Sequence, residues 1–238
     1  MTLRNVLAAF AAILAAICFE DSTRADFILT GTQQMTINTD ISNEGSVSLK
    51  GYSQLSVVSG GKVNSLYAFG WSTVNISGGS VQGSIRATDY STVYISGGSV
   101  NQFYATEPTV LSYISGGSVS KFVAWGNINI SGGTLGEIWA NGGALNISGG
   151  TLSNLEAING SVILNGIDFV LGPGLSLNGN QVQGLGLLSG EWSDGTPWMV
   201  DIGENDANAT ITIPEPATIS LLGLGLAATI LSSRRRSF

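Results

Sequence analysis

Through the middle of the chain, apolar and polar residues alternate by two in short runs, and each run ends on the same four letters. Ile76-Ser77-Gly78-Gly79 recurs at Ile95, Ile114, Ile130 and Ile147, with Val58-Ser59-Gly60-Gly61 before it and a decayed Leu164-Asn165-Gly166 after it. The intervals between these anchors are 18, 19, 19, 16, 17 and 17 residues. A period this short, repeated this often, predicts a solenoid in which each copy is one coil.

More than the anchor repeats. Five residues after it stands Val63, Val81, Val100, Val119, Leu135 or Leu152. A few residues later comes Leu66, Ile85, Phe103, Phe122, Ile138 or Leu155, and two beyond that always an alanine: Ala68, Ala87, Ala105, Ala124, Ala140 or Ala157. Alternation by two marks strands with one face inward. Each coil then reads as a strand such as Val74-Asn75-Ile76, a Gly-Gly corner where φ > 0 is free of a Cβ penalty, a strand around Val81 and a third over Ile85 to Ala87. Seven coils stacked at ~4.8 Å would extend roughly 34 Å. The fold class is all-β, a parallel β-helix of about seven short coils. The spacings lack the strict six-residue rhythm of left-handed β-helices and favour a right-handed one.

The repeat has limits. Residues 26–45 hold short β-like runs and read as an N-terminal cap, and 46–171 are the β-helix repeats. Gly172-Pro173-Gly174 interrupts the pattern. Within 172–212, Leu187 to Trp192 and Pro197 to Ile202 flank Asp194-Gly195, a hairpin signal, and Ala209 to Ile213 makes a last strand of a small C-terminal β module that covers the open end of the helix.

Both ends of the chain read as hydrophobic helical targeting segments. Residues 1–25 form a secretory signal peptide: Arg4 supplies the positive flank, Val6 to Ile17 the apolar core, and Thr23-Arg24-Ala25 the small residues that place cleavage between Ala25 and Asp26. Residues 213–238 run from Pro214-Glu215-Pro216-Ala217 through an apolar stretch to Arg234, Arg235 and Arg236, an order that keeps the basic end in the cytoplasm. Ala217 to Leu231 is 15 residues, roughly 22 Å of helix at 1.5 Å per residue, short of a ~30 Å hydrocarbon core. This short transmembrane helix fits transient inner-membrane anchoring. The Pro-Glu-Pro tripeptide, short apolar helix and terminal arginine cluster resemble the PEP-CTERM sorting signal. The resemblance implies processing by an exosortase-type enzyme of exopolysaccharide-producing Gram-negative bacteria, followed by release to, or attachment at, the outer surface or extracellular matrix. Ile-Ser-Gly-Gly coils closed by Ser193-Asp194-Gly195-Thr196 and such a tail are similar to a group of secreted bacterial surface proteins.

Charge narrows the partners. The net charge is −7. Between Asp26 and Asp206 only Lys50, Lys62, Arg86 and Lys121 face 13 acids, so 4 − 13 = −9. Such a surface repels nucleic acid and anionic membrane. There is no histidine, and the single cysteine, Cys18, lies in the signal segment, which argues against thiol catalysis, disulfides, Cys/His metal sites and any cofactor. A catalytic β-helix would need clustered carboxylates, whereas Asp89, Glu107, Glu137, Glu156 and Asp168 fall at different coil positions. Asp201 to Asp206 bunches three acids beside Asn205 and Asn208, which reads as a polar turn, with a calcium loop as the alternative. The outward ranks carry aromatics: Tyr67, Tyr104 and Trp139 share one with Arg86, and Tyr94 and Tyr113 share another with asparagines. These are candidate glycan contacts, since rings beside amides and hydroxyls can stack on and hydrogen-bond sugars. The expectation is a non-enzymatic exported surface protein associated with exopolysaccharide. A polysaccharide lyase or hydrolase is the first alternative, and an ice-binding protein, from the Ser80, Ser99, Ser118, Thr134, Thr151 ladder, the second.

Overall fold

The structure, a computed structural model, describes residues 26–205 and 209–214. The signal segment, Glu215 and everything after it lie outside the described residues. Within them there are strands and no helix.

The first coils are built from separate short strands: β1 (Phe27–Leu29), β2 (Gln34–Ile37), β3 (Ser46–Leu49), β4 (Gln54–Val57), β5 (Lys62–Val63) and β6 (Ser65–Ala68). From the first full Ile-Ser-Gly-Gly copy onward each coil is one continuous strand that bends at the glycines. These are β7 (Thr73–Ala87), β8 (Thr92–Ala105), β9 (Leu111–Ala124), β10 (Asn127–Ala140) and β11 (Ala144–Ala157). Each coil pairs in parallel with the next, position for position, with register shifts at the corner. The result is a parallel β-solenoid of about seven turns. Residues 26–45 join the same ladders, since β1 pairs in parallel with β3 and β2 with β4. They are the first coil itself.

Alternation places the core as the pattern predicts, except at the first anchor, where Val57 and not Val58 pairs with Ile76 and is buried because one extra residue enters that corner. From β3 to β11, Val74, Ile76, Val81, Ile85 and Ala87 and their counterparts are at most 2 % exposed, except Leu152 at 3 %, while in the first coil Leu29 is 6 % exposed and Phe27 and Met35 are partly buried. Phe103 and Phe122 stack inside, with ring centroids 5.1 Å apart. The two glycines of the corner serve different needs. The second of each pair, as in Gly98 (φ 73°) and Gly117 (φ 74°), turns the chain in the left-handed region. The first has no such φ, but a Cβ on Gly97 would stand 2.5 Å from the carbonyl oxygen of Ser77 in the coil below. One glycine is there for conformation, the other for space.

One inward rank is broken. Ser112 pairs with Val93 on one side and Ile128 on the other, fully buried, with no partner for its hydroxyl.

The repeat ends earlier than Gly172. Strand β12 (Ser161–Leu164) still follows the ladder on β11, but β13 (Gly166–Leu171) turns away. The C-terminal module consists of β13, β14 (Leu175–Asn178), β15 (Gln181–Gly184), β16 (Gly186–Trp192), β17 (Pro197–Asn205) and β18 (Thr210–Thr212). The expected hairpin is present: β16 and β17 pair antiparallel, Gly195 has φ 81°, and the Asp194 carboxylate accepts from the Thr196 N–H at 2.9 Å. The segment from Asp201, expected as a polar turn, is strand through Asn205. Its backbone continues the third ladder on Asn154 to Ala157. Strand β18 likewise continues the first ladder on β12. The module thus supplies the last coil from two distant strands. It then covers them with antiparallel partners, β16 on β17 and β15 on β18. Trp192 and Trp198 stack at 4.8 Å over this end, and the Trp192 indole donates to the carbonyl of Gly150 at 2.8 Å.

Candidate functional site

Carboxylates are the first place to look for chemistry, and several are committed to the backbone. Asp89, itself left-handed (φ 54°), accepts from the Gly70 N–H at 2.7 Å, and Glu107 accepts from the Asp89 N–H at 3.1 Å. Each carboxylate therefore caps the return loop of the coil beneath it. Asp40 pairs with Lys62 at 3.1 Å. Hydrogen bonds from the Ser42 hydroxyl and N–H, then Lys62, bring its carboxyl down from 3.8 to about 2. Thr196 lowers Asp194 in the same way. Glu137 lies beside Asn154, while Glu156 lies beside Trp139, so the two acids stand in different ranks. Among the described residues no three Cys, Asp or Glu side chains gather as a metal site.

The five aromatic candidates separate onto two faces. Tyr67, Arg86, Tyr104, Val123, Trp139 and Glu156 form one continuous outward rank on the third strand run. Here two of the three rings already have cations on them. Arg86 lies over Tyr104 at 5.4 Å and Lys121 over Trp139 at 3.5 Å, while Lys121 also reaches Glu137 at 3.5 Å. The Tyr104 hydroxyl donates to Gln102 at 3.0 Å.

Tyr94 and Tyr113 stand on the first strand run, stacked on each other at 5.2 Å. Their rank reads Ser56, Asn75, Tyr94, Tyr113, Asn129, Asn146, and the parallel rank beside it reads Gln54, Thr73, Thr92, Leu111, Asn127. No charged residue occurs in either rank.

A second aromatic column borders this face, and the repeat alignment does not contain it. Tyr52, Trp71 and Tyr90 each stand two residues before Gln54, Thr73 and Thr92. Trp71 and Tyr90 stack at 4.5 Å and 7°, Tyr52 and Trp71 more loosely at 6.4 Å and 13°, and all three rings are more than half exposed. The local cause is a three-residue unit. A left-handed residue (Gly51, Gly70 or Asp89) turns the loop, the aromatic side chain stands outward, and a wholly buried serine (Ser53, Ser72 or Ser91) re-enters the core. The signal was available as Gly-Tyr-Ser, Gly-Trp-Ser and Asp-Tyr-Ser at intervals of 19 residues. The first-run face thus carries uncharged ranks of hydroxyls and amides, interrupted by Leu111, bordered by Tyr52–Trp71–Tyr90 over the earlier coils and bearing Tyr94–Tyr113 on the later ones, so that the two columns face each other across Thr92.

Of the terminal candidates, Asp26 accepts from the Ser46 N–H at 3.1 Å and Pro214 is exposed. Ala25, Glu215, Pro216, Ala217, Arg234, Arg235 and Arg236 lie outside the described residues. Residues 212–236 match the PEP-CTERM protein-sorting motif. Comparison with curated proteins and with solved structures gave no match. The motif marks the chain as an exported protein sorted by exosortase to the cell surface.

Proposed function

We propose that this chain is a non-enzymatic surface or matrix protein that binds a neutral exopolysaccharide along its first-run face, after its C-terminal run has anchored it transiently in the inner membrane. The observation that carries this reading is the charge-free face lined by two exposed aromatic columns, Tyr52–Trp71–Tyr90 and Tyr94–Tyr113, which succeed one another along the coils and face each other at Tyr90 and Tyr94. A sugar ring presents apolar C–H faces and a rim of hydroxyls. Aromatic walls and an amide and hydroxyl floor complement both. An acidic glycan would gain nothing from a face without cations and would meet a chain of net negative charge. The strands of this face are paired backbone to backbone with both neighbouring coils without any ligand, which lowers the ordering cost of binding. Backbone-capping roles for Asp89 and Glu107 favour a binding surface over a hydrolytic one.

The test is retention of residues 26–214 on immobilised exopolysaccharide from the producing organism, alongside Trp71→Ala and Tyr94→Ala. The wild type should be retarded and both variants should elute earlier. Elution with the void volume would sink the binding reading. Release of reducing or unsaturated ends from the glycan would replace it with an enzymatic one.

A further inference from the structure

Exposed aliphatic side chains are not spread evenly over this molecule. Along the solenoid the large exposed apolar residues are aromatic except for Ile28 and Leu111, whereas in the terminal module they are all aliphatic. Four of these share one face. Val170 lies opposite Ser189, which lies opposite Met199; Ile167 lies opposite Glu191; and Leu187, two residues from Ser189, lies opposite Asp201. Ile167, Val170, Leu187 and Met199 are 50, 62, 44 and 56 % exposed. Their strands turn the opposite face, with Leu188, Trp198 and Val200, into the core. The outer face of the β13–β16–β17 sheet is therefore an aliphatic patch around Ser189, rimmed by two acids.

Chain length limits how far the module can stand from the apolar run of the tail. Strand β18 ends at Thr212, and the Ile213 N–H is fixed to the carbonyl of Asn180 at 3.0 Å. Only Pro214, Glu215 and Pro216 separate Ile213 from the apolar run that begins at Ala217. Three residues span at most about 10 Å. If that run is in a bilayer, the module is held against the lipid surface. Tethering of this kind removes most of the association cost, so a modest apolar contact is enough to orient the module. Charge selects the lipid. No lysine or arginine occurs between Phe122 and Ser233, while Asp168, Glu191, Asp194 and Asp201 lie in the module, within screening distance of any surface it touches.

We propose that the anchored chain rests the Ile167–Val170–Leu187–Met199 face on a neutral, zwitterionic phospholipid surface, and that anionic lipid repels it. This rests on the anchoring reading above. The contact would hold the Ile213–Pro214 junction at a fixed height over the bilayer, where a membrane-embedded processing enzyme works.

The test uses the chain with its tail intact, purified from membranes of a host lacking the sorting enzyme. In a Cys18→Ser background, a nitroxide is placed at Met199→Cys or, as a solenoid control, at Ser99→Cys. Both chains are reconstituted into phosphatidylcholine vesicles. Expected are a Met199 label several-fold more accessible to oxygen than to an aqueous nickel chelate, the reverse for the Ser99 label, and loss of the contrast in phosphatidylglycerol vesicles. Equal behaviour of the two labels in neutral vesicles overturns the proposal. So does dipolar coupling between Met199 labels, which would make the face an interface between copies. A chain washed off the vesicles by alkali refutes the anchoring reading as well, whereas a retained chain with a water-exposed Met199 label refutes the lipid contact alone.

Discussion

Substituting the corner glycines separates conformation from space. Gly195, in the terminal hairpin, has φ 81° and nothing within 4 Å of an added Cβ. Gly195→Ala should therefore cost only the left-handed penalty, about 1–2 kcal/mol. Gly97 is the converse. Its φ lies outside the left-handed region, but its Cβ would sit 2.5 Å from the Ser77 carbonyl oxygen, against 3.4 Å for ordinary contact, so something must move by 3.4 − 2.5 = 0.9 Å. Ser77 is backbone-paired to the coil above, so the displacement is not free, and Gly97→Ala falls in the overpacking range of about 1–3 kcal/mol. Gly98 carries both burdens, with φ 73° and an added Cβ 2.5 Å from the Gly78 oxygen. Gly98→Ala should cost about 2–5 kcal/mol, close to the sum of the other two. Urea unfolding of residues 26–214 followed by circular dichroism measures all three. Equal shifts for Gly98→Ala and Gly195→Ala would refute the steric part of the reasoning. An unchanged Gly97→Ala would show that the corners have slack.

Other outcomes follow from single side chains. Ser112→Val should stabilise the fold by about 1–2 kcal/mol by replacing an unpartnered buried hydroxyl with the residue that Val93 presents beneath it; a lowered melting temperature would mean the hydroxyl has a role in the core. Asp89→Gly should be tolerated better than Asp89→Ala although it removes more atoms, because glycine keeps the φ of 54°; the order of their urea midpoints decides this. Asp40 is held at about 2, below the ordinary 3.8, so its contribution is complete above the ordinary value and disappears as pH falls through about 2. An NMR titration of the Asp40 carboxyl checks this, and a midpoint near 3.8 would show that the Ser42 and Lys62 contacts do not persist in solution.

The solenoid was legible because its period is written in residues that have few alternatives. Alanine at the third-run interior, glycine at the corner and apolar residues between them leave little freedom of register. The Tyr52–Trp71–Tyr90 column escaped for a physical reason. It sits in return loops of one length, Leu49 to Gln54, Ala68 to Thr73 and Ala87 to Thr92, but Val57 rather than Val58 pairs with Ile76, so an alignment hung on Ile-Ser-Gly-Gly sets Tyr52 one residue out of register with Trp71 and Tyr90. Only the left-handed residue before each ring and the buried serine after it restore the alignment. The final coil was hidden for a different reason. Residues 201–205 and 210–212 occupy ladder positions without any repeat letters, because pairing to Asn154–Ala157 and Ser161–Ile163 constrains backbone rather than side chains. The neutrality of the first-run face was readable in the letters, but its meaning depended on knowing which positions share a surface.

Position-for-position pairing between neighbouring coils has a consequence for how such a molecule can change over generations. A duplicated unit of 19 residues slots between two existing coils without altering either terminus, and lengthens the rod by ~4.8 Å. Deletion of one unit shortens it equally. The molecule is a ruler whose graduations can be added or struck out one at a time. The number of Ile-Ser-Gly-Gly copies sets how long a strip it offers, while the sequences at its two ends stay the same.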